Sequence, residues 1–389
     1  MPRYVSTKWR CSAMNPRVLD IPSSLIRQIA AKRKSTSIDL GLGEPSLPPA
    51  IAHFDYAMQR VREHSMKYTV NAGDHALREA IAHHYAYPNM DRAENVCITT
   101  GSQEAMYAAM LTALNPVSDE LLVIDPAFPS YAKMANLGGV SVRTVTMGDD
   151  DDFAFDAERI IAGITDATRA IVICSPNNPT GRVMSRECAA TLVRALRARP
   201  GEPIWLIHDE IYREQCFTPD AAELARMYAH TIVTNSISKS NALTGLRLGW
   251  IIAPRAFIEH AIKAHAWVTS CADTFAQYVA LHIFTTPGGI TEHAEWYREQ
   301  RAAVMTALRE SGLRFIETEG SFYACVKTPR GLGSVDVSLA LLEKYDVLAI
   351  PGVAFGPSFD EWLRLSWVAP IDRVREGIRR IAAFCEATS

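Results

Sequence analysis

A lysine among hydroxyls is the first arrangement in this chain that could do chemistry: Ser236-Ile237-Ser238-Lys239, followed eight residues later by Arg247 in Thr244-Gly245-Leu246-Arg247. Two hydroxyls, an amine and a guanidinium just past an apolar run suit an aldehyde that carries a phosphate, pyridoxal 5'-phosphate (PLP). The amine forms the imine, and the hydroxyls with arginine's bidentate fork hold the phosphate dianion. A free lysine amine, with a pKa near roughly 10.4, is a poor nucleophile at neutral pH, so burial or a neighbouring cation such as Arg247 must lower it. A lone lysine is by default a solvated surface charge; its company argues for function.

Asp209 follows the apolar run Ile204 to Ile207, where a carboxylate can pair with a protonated pyridine nitrogen and keep the ring an electron sink. Tyr212, three residues on, could reach the ring's phenolic oxygen. Taken alone, Asp209 would be a helix cap and Tyr212 a half-buried aromatic; beside Lys239 the pair acquires a job. Asn177-Asn178-Pro179-Thr180-Gly181 closes another apolar run, and the Asn178 amide suits the same oxygen, although Asn-Pro and Thr-Gly also form turns. Gly101-Ser102-Gln103 opens an amphipathic helix whose free amides favour a phosphate. Phe128, in Asp125-Pro126-Ala127-Phe128, can stack on a planar ring or simply pack in the core.

These residues need a scaffold that brings them together. From about residue 95, short apolar runs rich in β-branched residues alternate with helix-like segments: Val96 to Ile98, Leu121 to Ile124, Ala170 to Ile173, Ile204 to Ile207, Thr231 to Thr234 and Gly249 to Ile252. Runs without polar alternation suit strands buried on both faces of a largely parallel sheet, which predicts an α/β fold with flanking helices. Nearly every run ends in the polar residues just named, and ligands of such sheets sit beyond the carboxyl ends of the strands. After about residue 285 the pattern changes to a charged helical stretch, Glu292 to Leu308, and shorter strand-like runs around Phe322 to Val326 and Trp362 to Trp367. The reading is a large cofactor-binding domain over 49–284 and a smaller α/β domain made from both chain ends, 1–48 and 285–389. The acidic run Asp149 to Asp152 reads as a solvated loop, with Asp156 as the N-cap of the next helix.

Composition narrows the classes of partner. Forty basic and 43 acidic residues leave a formal charge of −3, too weak a field to argue for nucleic acid or a membrane surface, so small molecules are expected. No apolar run approaches the roughly 18 residues that span a bilayer. The eight cysteines lie in scattered positions with no C-x-x-C pair, which predicts reduced thiols in the cytoplasm and no metal site. Arg3, Lys8, Arg10 and Arg17 near the start, with no apolar segment after them, read as a solvated basic tail rather than a secretory signal.

In order and spacing, Asn-Pro-Thr-Gly, Asp-x-x-Tyr and Ser-x-Ser-Lys with its later Arg closely resemble the class I/II aminotransferases, the fold-type I PLP enzymes of the aspartate aminotransferase superfamily, over about Pro16 to Pro370. The resemblance implies Lys239 as Schiff-base lysine and proton shuttle, Asp209 as partner of the pyridine nitrogen, and Asn178 and Tyr212 as donors to the ring oxygen. It assigns the phosphate to Ser102, Gln103, Ser236, Ser238 and Arg247, and ring stacking to Phe128. Arg364, in Trp362-Leu363-Arg364-Leu365-Ser366, matches the arginine that clamps the substrate α-carboxylate, and Gly43 a substrate-side glycine. Tyr68 resembles a tyrosine that reaches the neighbouring subunit's site, which implies a homodimer. The chain departs from the pattern at Asn241, where Phe is frequent, and at Gln103, where some relatives have Lys. With no second cation evident for a dicarboxylate side chain, strict aspartate specificity is not implied.

The implied activity is ping-pong transamination: a 2-amino acid gives its amino group to the cofactor and leaves as a 2-oxo acid, and a second oxo acid reverses the path. A carbon–sulfur β-lyase or a cyclopropane-forming synthase would share nearly all these motifs. A dinucleotide-dependent dehydrogenase fits less well, because Gly41-Leu42-Gly43 runs into Glu44-Pro45 instead of completing G-x-G-x-x-G. A non-catalytic sensing module would be expected to bring a DNA-binding domain, for which motifs starting near residue 16 leave no room.

Overall fold

The computed structural model describes residues 14–45 and 47–388. Arg3, Lys8 and Arg10 of the expected basic tail lie outside the described residues. The first strand, β1 (Ile38–Asp39), precedes a seven-stranded sheet made of β2 (Val96–Thr99), β3 (Glu120–Asp125), β4 (Ser141–Thr146), β5 (Thr168–Cys174), β6 (Trp205–Asp209), β7 (Thr231–Ser236) and β8 (Gly249–Ile252). Their order across the sheet is β2-β8-β7-β6-β5-β3-β4. Pairings are parallel from β4 through β7, while β8 runs antiparallel to both β7 and β2.

Alternate residues of these strands enter different apolar clusters. Val172, Ile207, Ile232 and Ile251 pack on one side, while Ile171, Ile173, Leu206, Val233 and Ile252 pack on the other. Period-two side chains that are apolar in both directions leave the sheet no solvated face, so helices must cover both. Full burial of each such Ile, Leu or Val stabilises the sheet by about 1.5–3 kcal/mol. Six of the seven strands match the apolar runs read from sequence. The seventh, β4, has the sequence Ser-Val-Arg-Thr-Val-Thr and lies at the sheet's edge, largely exposed, where no apolar run is required.

A four-stranded antiparallel sheet follows, in the order β12-β13-β10-β9, from β9 (Phe315–Ile316), β10 (Tyr323–Lys327), β12 (Ile350–Pro351) and β13 (Trp362–Ser366). Between them, β11 (Val347–Leu348) pairs in parallel with β1, bringing the segment after Ile38 alongside the C-terminal strands. The charged helix spans Ala294–Glu310. Asp156 caps the helix Ala157–Ala162 by accepting from the Glu158 and Arg159 amides. The acidic loop before it is less solvated than expected, since Asp149 pairs with Lys327 and Asp152 with Arg314.

Candidate active site

Sheet register assembles the site. Asp209 at the end of β6 is level with Cys174 on β5 and Thr234 on β7, and Ser236 is level with Gly249, which in turn is level with Thr99 on β2. The carboxyl ends of the parallel strands and the amino end of β8 therefore share one edge, and the polar residues that follow each strand are gathered there.

Lys239 lies in the short helix Ile237–Ser240, whose N-cap Ser236 accepts from the Ser238 amide. The Lys239 carbonyl is fixed by Gln215 Nε2 at 3.2 Å and by the Tyr297 hydroxyl at 2.8 Å, which directs the side chain away from that anchor. Its Nζ donates to the Gly43 carbonyl at 2.6 Å and stands 5.7 Å from the centre of the Phe322 ring. Burial, with help from the Arg364 and Arg247 charges and against the pull of Glu44, brings the amine down to about 8. Asn241 next in line is fully buried and donates to the Gly289 carbonyl and to Glu292 Oε1, both at 2.8 Å, so a polar clamp fills the position where the family pattern favours Phe.

Asp209 is buried, and its two oxygens accept from the Tyr131 hydroxyl at 2.7 Å and from the Ile211 amide at 3.2 Å. Burial still outweighs those donors and pushes the carboxyl up to about 6. Phe128 is half-buried, its ring edge-on to Tyr131 at 5.8 Å.

Arg364 on β13 is 3% exposed and reaches across to both sides of the site. It donates to Asn178 Oδ1 at 3.0 Å and to the Gly41 carbonyl at 2.6 Å, and its guanidinium lies over the Tyr323 and Phe355 rings at 4.1 and 4.7 Å. Because Asn178 offers its oxygen to Arg364, its Nδ2 is turned toward the Tyr212 hydroxyl, 3.4 Å away; that hydroxyl is in turn 3.3 Å from the Tyr323 hydroxyl. These last two contacts are long, leaving the Asn178 amide and the Tyr212 hydroxyl free to take a better partner. A side chain at Gly43 would place its Cβ 1.9 Å from the Tyr323 hydroxyl oxygen, so glycine is required where the Gly41–Gly43 segment crosses the site.

At the other end, the helix Gly101–Ala113 begins at Gly101 with φ +80°, and a Cβ there would fall 2.5 Å from Arg247 Nη2. A Cβ at Gly249 would collide with the Ser102 amide at 2.6 Å, so β8 packs directly on this helix start. Arg247 donates Nη1 to the Thr244 carbonyl at 2.8 Å and holds a left-handed backbone, φ 51°. Such a conformation in a non-glycine residue costs on the order of 1 kcal/mol and tends to mark functional loops.

Lys239, Asp209, Asn178, Tyr212, Ser236, Ser238, Arg364 and Gly43 thus meet along one edge, with Phe128, Ser102 and Arg247 beside them. Two residues singled out from the sequence stand apart. Gln103 is exposed on the helix start, and Tyr68 is 90% exposed, with no hydrogen bond among the described residues. Tyr131 and Tyr323 were not singled out from the sequence. Tyr131 had one local signal, its place three residues after Phe128; Tyr323 had none beyond lying in a strand-like run.

The family model for aminotransferase class I and II matches residues 35–381. The probable N-acetyl-LL-diaminopimelate aminotransferase of Bacillus subtilis is 31% identical, with 95% of each chain covered. The aspartate aminotransferase of Pyrococcus horikoshii is 32% identical over 95% of this chain and 96% of its own. The arginine–pyruvate transaminase of Pseudomonas aeruginosa is also 32% identical, over 90% and 89%. Among solved structures, the aspartate aminotransferase of Thermotoga maritima superposes with a TM-score of 0.88 at 30% identity, covering 96% of this chain and all of that one.

Proposed function

The chain belongs to the class I and II aminotransferase family and is a PLP-dependent transaminase; from that premise we propose how its own residues divide the work between cofactor and substrate. The observation that carries the reading is that the partly buried Lys239 Nζ and the buried Arg364 guanidinium hydrogen-bond to carbonyls two residues apart, Gly43 and Gly41. An amine and a carboxylate-binding fork are thereby held on one short segment, as a 2-amino acid with its α-carboxylate and reacting Cα requires.

The residues fit PLP. A buried carboxylate raised to about 6 has lost solvation that a protonated ring nitrogen would replace. The underused Asn178 and Tyr212 groups could serve a ring oxygen, and the helix start at Gly101 and Ser102, with Ser236, Ser238 and Arg247, offers donors for a phosphate. When bound, PLP supplies a ring that accepts the electrons of the substrate's broken Cα–H bond.

Lys239, brought to about 8, is in its free-base form in about a tenth of molecules at pH 7, far more than an exposed lysine. In this reading its Nζ would take the proton from the substrate Cα and hand it to the cofactor side within the same half-reaction, and would carry it in the reverse direction in the second. Asp209 would hold the ring nitrogen protonated, with Tyr131 keeping the carboxylate aligned. Asn178 and Tyr212 would donate to the ring oxygen, and Phe128 would cover a ring face. Arg364, fixed by Asn178, Gly41 and two aromatic faces, clamps the α-carboxylate, and Gly43 leaves room for the substrate beside Tyr323.

The donor and acceptor are a 2-amino acid and a 2-oxo acid; the relatives' names run from aspartate to arginine and do not select one. We assign the large cofactor-binding part to 49–284 and a smaller unit to 1–48 with 285–389. The exposed Tyr68 is assigned to the neighbouring site of a homodimer, with Gln103 at the phosphate end. No helix among the described residues is long and apolar enough to cross a membrane. The cytoplasm is the proposed compartment, supported by Cys97, Cys174 and Cys325, which are buried thiols.

Borohydride reduction of the holoenzyme followed by peptide mass mapping tests the central assignment. The cofactor's mass is expected on the peptide containing Lys239, and its appearance on another lysine would refute it.

A further inference from the structure

Side chains alternate along β6, so His208 and Glu210 point to the opposite sheet face from Asp209. They open there into a cavity of about 530 Å³, walled also by Ser175, Arg186, Arg213 and Glu223. None of these residues takes part in the site described above.

The cavity's charges are unevenly spent. Glu210 is occupied by the Tyr87 hydroxyl at 2.7 Å and by Arg213 at 3.0 Å. Glu223 is occupied by Arg213 and by Arg226, each at 2.5 Å. Both carboxylates in the wall are therefore neutralised by groups already present. Arg186 is exposed, and among the described residues its side chain makes one hydrogen bond, from Nη2 to the Pro219 carbonyl at 2.9 Å, so the rest of its fork is unused. Ser175 Oγ accepts from the Met184 amide at 2.9 Å, which leaves its hydroxyl proton to give. His208 is 2% exposed; its Nδ1 stands 3.0 Å from Glu210 Oε1 outside hydrogen-bond geometry, and its Nε2 is buried with no partner among the described residues. A buried polar atom left unpartnered in a cavity wall is uncommon in folded proteins and points to a missing partner.

What remains unspent is a cation, a hydroxyl donor and an imidazole nitrogen, and their common complement is an acceptor with negative charge. We propose that this cavity is a second ligand site, taking a small molecule through an oxyanion group, carboxylate or phosphate, held by Arg186, the Ser175 hydroxyl and His208 Nε2. Glu210 Oε1 lies 3.0 Å from Nδ1 on one side of the imidazole, and the oxyanion would sit at Nε2 on the other. The volume lies within the usual range of small-molecule sites, about 300–1,000 Å³.

Isothermal titration of the holoenzyme, whose own phosphate site is filled, distinguishes the sources of the group, with inorganic phosphate in one arm and acetate in the other. Saturable binding is expected in at least one arm, weakened tenfold or more by Arg186→Ala, a surface change that leaves transamination intact. His208→Leu is expected to weaken it similarly, and should that variant fail to fold, Arg186→Ala decides alone. Arg364→Ala separates this site from the substrate site. Absence of saturable binding in both arms overturns the proposal. So does binding that Arg186→Ala leaves unchanged, or binding abolished by Arg364→Ala instead. The readout does not depend on transamination, so its failure would leave the assigned function standing.

Discussion

Asp209→Asn should make the cofactor-free protein more stable at neutral pH while disabling the holoenzyme. The carboxyl is raised from 3.8 to about 6 because burial outweighs the Tyr131 and Ile211 donors. A folded-state pKa above the unfolded one means that the native protein prefers the protonated form. The associated stability is complete below the unfolded value and is lost as pH rises through the folded one. Two units at about 1.4 kcal/mol each amount to about 3 kcal/mol of native-state stability lost between pH 4 and pH 6. Asparagine keeps an acceptor for the Ile211 amide, the Tyr131 hydroxyl can turn to accept from its Nδ2, and it carries no charge to desolvate. Thermal unfolding of both apo proteins from pH 3.5 to pH 8 is the assay, with the variant's advantage near zero at the acid end and largest above pH 7. With PLP present the ranking should reverse, because only the carboxylate can pair with a protonated ring nitrogen. A variant equally or less stable than the parent at pH 8, or an advantage independent of pH, would show that burial does not set the charge of Asp209.

Two further outcomes follow from the same geometry. Tyr131→Phe removes a donor to a charged oxygen, worth about 1.5–3 kcal/mol, and should move the acid limb of kcat/KM to higher pH by about one to two units. A uniform drop in kcat with an unmoved limb would instead make Tyr131 a packing residue. In the cofactor-free protein, competitive labelling with an amine-reactive reagent should give Lys239 a midpoint at about 8, set by burial and by Arg364. A midpoint shared with the exposed lysines would contradict that environment.

Much of this was legible in the sequence because the information is local. Each parallel strand is a few consecutive apolar residues, and each chemical residue follows its strand within a few positions, as Asp209 follows Ile207 and Lys239 follows Ser236. The rest depends on contacts far apart in the chain. Tyr131 reaches Asp209 across 78 positions, Tyr212 reaches Tyr323 across 111, Arg364 reaches Asn178 across 186 and Lys239 reaches Gly43 across 196. No spacing rule reports such pairs, since they exist only once two sheets and the Gly41–Gly43 segment have packed together. Strand direction was equally hidden: the apolar run Gly249 to Ile252 is the same whether β8 runs with β7 or against it. The antiparallel direction has a consequence, because it sets Gly249 against the Ser102 amide and brings Arg247, two residues earlier, to the helix start at Gly101.

Burial acts in opposite directions on the two groups at the centre of the site, lowering the Lys239 amine and raising the Asp209 carboxyl, and in both cases it disfavours the charged form. Each is therefore costly to keep charged in the empty protein and gains most from a partner of opposite charge or from a covalent bond. Arg364 meets the same problem differently. Two protein acceptors and two aromatic faces hold its guanidinium in place, while its buried Nε has no partner among the described residues. Its orientation is thus settled before any substrate arrives, and little side-chain entropy remains to be lost on binding a carboxylate. The groups assigned to the cofactor are those whose protonation can still change, and the group assigned to the carboxylate is the one whose geometry cannot. An enzyme that must accept several amino acids at one cofactor needs the α-carboxylate held in one place while the side chain varies, which is the division this site provides.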